Sequence, residues 1–185
     1  MLEENLVDYI EKNKKMFDDY DVHYKELEEN DCIIKLQKGD LNEGHIKFIY
    51  IDGVLTIAGD YGYAVFDWHN RTNNILAYQN FKDIGYIMSK CKAFDENDVY
   101  SFNPDLAEEE LKELAEEYEF DVENVPYFES KEHRDSWMYE NASRLYDDAY
   151  EIGLYKVGSE MAERPFIWWT GLNVCLKYIE ELKCM

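Results

Sequence analysis

Apolar residues recur at two different periods along this chain, and the change from one to the other divides it. Over residues 2–17, Leu2, Leu6, Tyr9, Ile10 and Phe17 fall near one face at helical spacing, with acids and lysines between them. That pattern predicts an N-terminal packing helix. Short runs of β-branched and aromatic residues follow, Cys32-Ile33-Ile34-Lys35-Leu36 first and then residues 45–51, 54–58 and 63–68. Asp52-Gly53 stands between two of these runs. An Asp-Gly pair in that setting signals a hairpin, because a type I′ turn needs positive φ at both central positions. Gly59-Asp60-Tyr61-Gly62 forms the next connection. The runs predict an antiparallel meander of three to four strands over about residues 32–68.

Beyond residue 80 the helical period returns. Ile84, Ile87, Met88 and Cys91 predict a helix over 80–91 that covers one face of the sheet. Asn103-Pro104-Asp105 is a helix start: Asn accepts from free amides, Pro occupies the first turn and Asp meets the positive end of the dipole. This helix is expected to run to about Tyr118, with Ala107, Leu111, Leu114, Ala115 and Tyr118 inward. Met138, Ala142, Leu145 and Ala149 predict another over 129–150. The last begins near Pro165 and carries a stripe of Trp168, Leu172, Cys175, Leu176, Ile179 and Leu182. One stripe does not hold two adjacent tryptophans, so one of Trp168 and Trp169 is expected at the edge of the core. The fold class is α+β. A single domain over 1–185 is expected, with an α/β part at 1–94, an acidic helical part at 95–185, and 121–130 as its hinge.

Composition adds that the chain folds. Hydrophobic residues make up 46% and aromatics 16%, whereas disordered acidic chains are poor in aromatic and β-branched residues. No run approaches the roughly 18 apolar residues of a membrane span, and Met1-Leu2-Glu3-Glu4-Asn5 lacks the basic start of a signal peptide. A cytoplasmic location is the expectation. Cys32, Cys91, Cys175 and Cys184 are scattered, without Cys-x-x-Cys spacing, and read as reduced thiols that mostly fill the core.

Charge changes the picture more. The 41 acids and 19 bases give a net charge of −22, and 20 of those acids against 4 bases lie between residues 95 and 151. A field of this sign repels nucleic acid and anionic membranes, and attracts basic protein surfaces at a salt-dependent rate. Asp105, Glu108, Glu109, Glu113, Glu116 and Glu117 lie off the apolar face of the helix that starts at Asn103. At about 1.5 Å per residue they span about 18 Å. Six charges over that length match the roughly 3.4 Å spacing along one DNA strand. These six are the candidate partner-binding residues, and their face has the character of a nucleic-acid mimic.

Catalytic signatures are sparse. His23, His45, His69 and His133 are far apart, no His or Cys pair has zinc spacing, and no metal or cofactor is expected. Walker, dinucleotide and G-x-S-x-G patterns are missing. The enzymatic alternative is Asp67-Trp68-His69 at a strand end, where Asp67 and His69 would join Asp60 as general base and acid. Carboxylates of Glu108-Glu109-Glu110 are the corresponding Mg²⁺ candidate, although a nuclease of this charge repels its substrate.

The stretch Gly59-Asp60-Tyr61-Gly62-Tyr63-Ala64-Val65-Phe66-Asp67-Trp68 precedes a segment ending Lys90-Cys91. A late aromatic helix, Phe166-Ile167-Trp168-Trp169-Thr170-Gly171-Leu172, follows. Together they resemble a pattern in small accessory proteins of bacteriophages. The resemblance covers residues 46–92 and the last helix, and carries no catalytic residue with it. It implies a phage protein, a group that includes inhibitors of host defence such as anti-CRISPR proteins. Some of these block the basic nucleic-acid channel of an effector. The leading expectation is such an inhibitor, not an enzyme, binding a CRISPR effector or another nucleic-acid-binding host protein through its basic surface. A small phage enzyme using Asp60, Asp67 and His69, or a structural accessory protein, is the alternative.

Overall fold

A computed structural model of the chain describes residues 6–28, 30–39, 44–68, 74–118, 126–145 and 156–184. Helix α1 (Leu6–Asn13) runs into a 3₁₀ turn (Lys14–Phe17), and five strands follow: β1 (Tyr20–Glu26), β2 (Cys32–Lys38), β3 (Ile46–Ile51), β4 (Val54–Gly59) and β5 (Gly62–Asp67). A second 3₁₀ turn (Ile75–Asn80) and a short helix α2 (Ile84–Met88) lead to strand β6 (Cys91–Phe94) and a single helical turn α3 (Glu96–Val99). Then come β7 (Tyr100–Phe102), α4 (Pro104–Tyr118), α5 (Lys131–Leu145), β8 (Ser159–Met161) and α6 (Arg164–Lys183). Strands β1 to β6 form one antiparallel sheet in sequence order, and β7 pairs with β8 in a separate antiparallel ladder.

The α+β class is the one the sequence predicts, but the meander has six strands where three to four are expected. β1 escapes the hydrophobic pattern because it lies at the sheet edge, where Asp21, His23 and Lys25 face solvent and Tyr20, Val22 and Tyr24 are only half-buried. β6 escapes it because residues 84–91 share one helical spacing. The helix in fact stops after Met88, and Cys91 begins a strand paired with β5. Asp83 opens α2 by accepting the Tyr86 amide at 3.0 Å. The Asp52-Gly53 hairpin forms as predicted, with φ of 48° and 80° joining β3 to β4. Among the described residues no helix is long and apolar enough to cross a membrane.

Contacts divide the chain into two compact units, Met1–Val99 with Ala162–Met185, and Tyr100–Met161. The last helix therefore belongs with the sheet, and the expected helical part 95–185 is not one body. In the first unit the inward positions alternate along each strand, as in Ile34 and Leu36, Phe48 and Tyr50, Leu55 and Ile57. Helix α6 packs against β1, β2 and β3, against α1 and α3, and against both 3₁₀ turns. Neighbours on several sides widen its buried arc beyond one stripe. Trp168 and Trp169 are consequently both fully buried, against the expectation that one would sit at the edge. Trp168 donates its indole N–H to the Tyr61 carbonyl at 2.7 Å, while Trp169 packs on Phe66 and Tyr78 at centroid distances of 5.8 and 5.9 Å.

Gly59 ends β4 at φ +145°, and a Cβ there would lie 2.3 Å from the His45 carbonyl oxygen. That oxygen already accepts the Asp60 amide at 3.0 Å and its residue leads directly into β3, so it has little room to retreat. Gly59→Ala is expected to cost at least about 2 kcal/mol, from left-handed strain together with the clash. Gly39→Ala is the comparison: φ is +53° but nothing lies within 4 Å, so only the conformational penalty of about 1 kcal/mol applies. Urea unfolding of the two variants measures the difference.

The second unit has its own small core of Ala107 and Leu111 from α4, Phe128, Met138 from α5, and Val157. Within it Arg134 is only 2% exposed. Its guanidinium donates to the Val157 carbonyl at 2.6 Å, to Ser159 Oγ at 3.0 Å and to Asp135 Oδ1 at 2.9 Å, and lies 5.4 Å from the Phe102 ring centre. One cation thus ties α5 to β8. The predicted inward positions Ala142, Leu145 and Ala149 of this region lie outside the described side chains.

Candidate functional site

Helix α4 starts where the sequence places it. Asn103 Oδ1 accepts from the amides of Asp105 at 3.1 Å and Leu106 at 3.2 Å, so two of the unpaired amides of the first turn are satisfied. Ala107, Leu111 and Ala115 are buried and Leu114 is half-buried, which fixes the rotation of the helix. Asp105, Glu108, Glu109, Glu113, Glu116 and Glu117 are all exposed on the opposite side. The six predicted residues do share one face. Tyr118, predicted inward, lies outside the described side chains.

They are not equivalent. Asp105 accepts the Tyr127 hydroxyl at 3.0 Å, and that hydrogen bond pushes the Tyr127 phenol above its ordinary pKa. Glu108 pairs with Lys112 one turn on. Among the described residues Glu109, Glu113, Glu116 and Glu117 have no cationic partner, and they form the bare part of the face, about 12 Å long. Glu110 turns the other way and accepts the Gly158 amide at 2.8 Å.

The bare glutamates work against their own helix. Glu109, Glu113 and Glu117 are like charges four residues apart, each pair unfavourable by about 0.2–0.5 kcal/mol. Glu116 and Glu117 also occupy the last turn, which holds no base, where the helix dipole opposes negative charge. A face selected only for solubility would gain as much from acids in the first turn and bases in the last. The arrangement concentrates negative potential at one place and weakens α4 in doing so.

The enzymatic candidates do not assemble. Asp60 sits in the turn before β5 and Asp67 at the far end of that strand, whose extended backbone alone spans about 17 Å. His69 lies outside the described residues. Asp60 is engaged elsewhere: its carboxylate accepts the His45 backbone amide at 2.9 Å and contacts His45 Nδ1 at 2.9 Å. The amide chiefly, and the imidazole in addition, hold Asp60 below its ordinary pKa. This pair closes the loop before β3 onto the β4–β5 turn. The carboxylates of Glu108, Glu109 and Glu110 diverge, since Glu110 points to Gly158, and no group of three His, Cys, Asp or Glu converges as metal ligands among the described residues. Cys32 and Cys175 are buried, which pushes the Cys32 thiol up to about 11 and Cys175 further still; Cys91 is half-buried and Cys184 exposed.

The neighbour that braces the acidic face, Tyr127, is not announced by any periodicity in the sequence. Tyr127 is half exposed and braces Asp105, and with Pro126 and Phe128 it forms one wall of a groove of about 250 Å³ whose other wall is Ala107, Glu108, Leu111 and Lys112 of α4. Tyr127 stands in an irregular segment, where no periodicity announces a contact with α4. Sheet, helices and acidic face define an α+β protein whose most distinctive surface is a carboxylate ridge. No protein-family model, curated protein or solved structure matches the chain.

Proposed function

We propose that the protein is a binding inhibitor: the exposed acidic face of α4 occupies a basic, nucleic-acid-binding surface on another protein and excludes its natural ligand. Following the phage-like pattern, the partner class is a bacterial defence effector, with RNA-guided nucleases the first to test, since these hold a heteroduplex in a positively charged channel. The observation that carries the reading is the run of Glu109, Glu113, Glu116 and Glu117, unpaired by described residues and placed where they destabilise the helix that presents them. Consistency between local and global preference is expected in a fold and is relaxed at functional sites. Electrostatic complementarity of this kind sets association rate and partner choice.

The test uses a purified guide-loaded effector and the full chain. Binding is expected in low salt and is expected to weaken steeply as salt rises. The triple reversal Glu109→Lys, Glu113→Lys and Glu116→Lys is expected to weaken it by roughly 100-fold or more, because like charges meeting across an interface cost several kcal/mol. Binding that ignores both salt and reversal sinks the mimic reading. So does failure of every nucleic-acid-binding defence effector to bind.

A further inference from the structure

Strand β1 forms one border of the six-stranded sheet, and its outer edge has no ladder partner among the described residues. Such an edge offers a row of unpaired N–H and C=O groups to any strand that fits. Short length, proline and bulges are the usual protections. β1 has none of these. It is seven residues long against four for β6 at the other border, and its register with β2 is unbroken from Tyr20↔Lys38 to Glu26↔Cys32. Charged side chains are the remaining protection, and here their signs matter.

The strand reads Tyr20-Asp21-Val22-His23-Tyr24-Lys25-Glu26, and its middle residue is His23. Asp21 and Lys25 lie two places either side, exposed with His23 on the open face, while Val22 and Tyr24 lie one place either side, half-buried on the other. Among the described residues neither Asp21 nor Lys25 has an ion-pair partner. We propose that β1 pairs antiparallel with β1 of a second copy of this chain, with the two-fold axis midway between the two His23 residues. In that register Asp21 stands opposite Lys25 of the partner copy, twice over by symmetry. Val22 stands opposite Tyr24, also twice. Residues directly opposite have Cβ atoms about 4.5–5.5 Å apart, within reach for charge pairing and apolar contact. Moving the axis by two residues sets Asp21 against Asp21 or Lys25 against Lys25. The charges therefore select one register as well as one partner.

Net charge opposes the pairing but does not forbid it. The unit that carries β1 has 23 acids and 14 bases, the milder share of the total. At about 0.15 M ionic strength the screening length is about 8 Å, so distant repulsion fades while opposed pairs in contact keep their attraction.

Sedimentation equilibrium of the full chain, at that ionic strength and up to about 0.5 mM, is expected to show association from 22.1 kDa to twice that mass. Asp21→Lys alone and Lys25→Asp alone should each weaken the dimer at least about tenfold, and the double swap should return it to within about threefold of the original. Both side chains are exposed, so circular dichroism should be unchanged in all three variants. In a Cys184→Ser background, His23→Cys should yield an oxidant-dependent cross-linked dimer, and Lys35→Cys on the neighbouring strand should not. A monomer at every concentration overturns the proposal. So does a dimer indifferent to the single reversals, one that the double swap fails to restore, or one that His23→Cys does not cross-link, since another surface then joins the copies.

Discussion

Arg134→Ala is expected to lower the stability of the unit Tyr100–Met161 by about 3–6 kcal/mol. The guanidinium is the donor to the buried Val157 carbonyl at 2.6 Å, and an acceptor left without its donor costs about 1–3 kcal/mol. The removed stem leaves a cavity beside Phe102, which adds about 2–3 kcal/mol. The contact with Asp135 contributes little, because that carboxylate is 51% exposed and water screens the pair. Asp135→Asn should therefore cost under about 1 kcal/mol. Arg134→Lys should fall between the two, since an ammonium keeps the charge without the planar fork that reaches Val157, Ser159 and Asp135 together. Hydrogen exchange decides the matter. Protection in α5 and β8 should collapse in the alanine variant while the six-stranded sheet keeps its own, and unchanged exchange in α5 would refute the assignment.

Excising the whole second unit is expected to have the largest effect on binding and a small one on the sheet. Ala162 donates its amide to the Val99 carbonyl at 2.7 Å, so the two chain ends left by the cut already lie within one hydrogen bond of each other. A Gly-Gly link in place of residues 100–161 should close the gap as a tight turn. Helix α1, the six-stranded sheet and α6 all belong to the unit that remains. The shortened chain should fold cooperatively and melt as a sheet protein. It should also lose all measurable affinity for a basic partner, because the carboxylate ridge has gone. A shortened chain that fails to fold shows that 100–161 supports the sheet; one that folds and still binds places the interface elsewhere.

Much of this architecture was readable from residue order, for reasons that differ element by element. The Asp52-Gly53 turn and the Asn103 cap are local devices, satisfied within a few residues of the letters that announce them, and both appear as predicted. The buried and exposed faces of α4 follow from spacing alone. β1 and the true end of α2 depend instead on a neighbour: an edge strand needs only half a face of apolar residues, and Cys91 leaves the helix to pair with β5. The adjacent tryptophans depend on what surrounds α6, which no single-helix pattern encodes. At the candidate site the six carboxylates were legible because charge periodicity survives in the sequence. Their division into two engaged and four bare residues was not, since it rests on Lys112 and on Tyr127, a residue from another segment.

The place of α6 beyond the second unit in chain order has a consequence for synthesis. Each strand of the meander pairs with its neighbour in sequence, so the sheet can form hairpin by hairpin as it leaves the ribosome. The helix that covers it is translated only after all 62 residues of the intervening unit. Until then Ile34, Phe48 and Leu55 belong to a sheet without its cover, the kind of exposed apolar face that aggregates or recruits chaperones. Nascent chains arrested before residue 164 should therefore be bound by ribosome-associated holdase chaperones and released once α6 emerges, so that the sheet waits for a helix encoded far downstream of it.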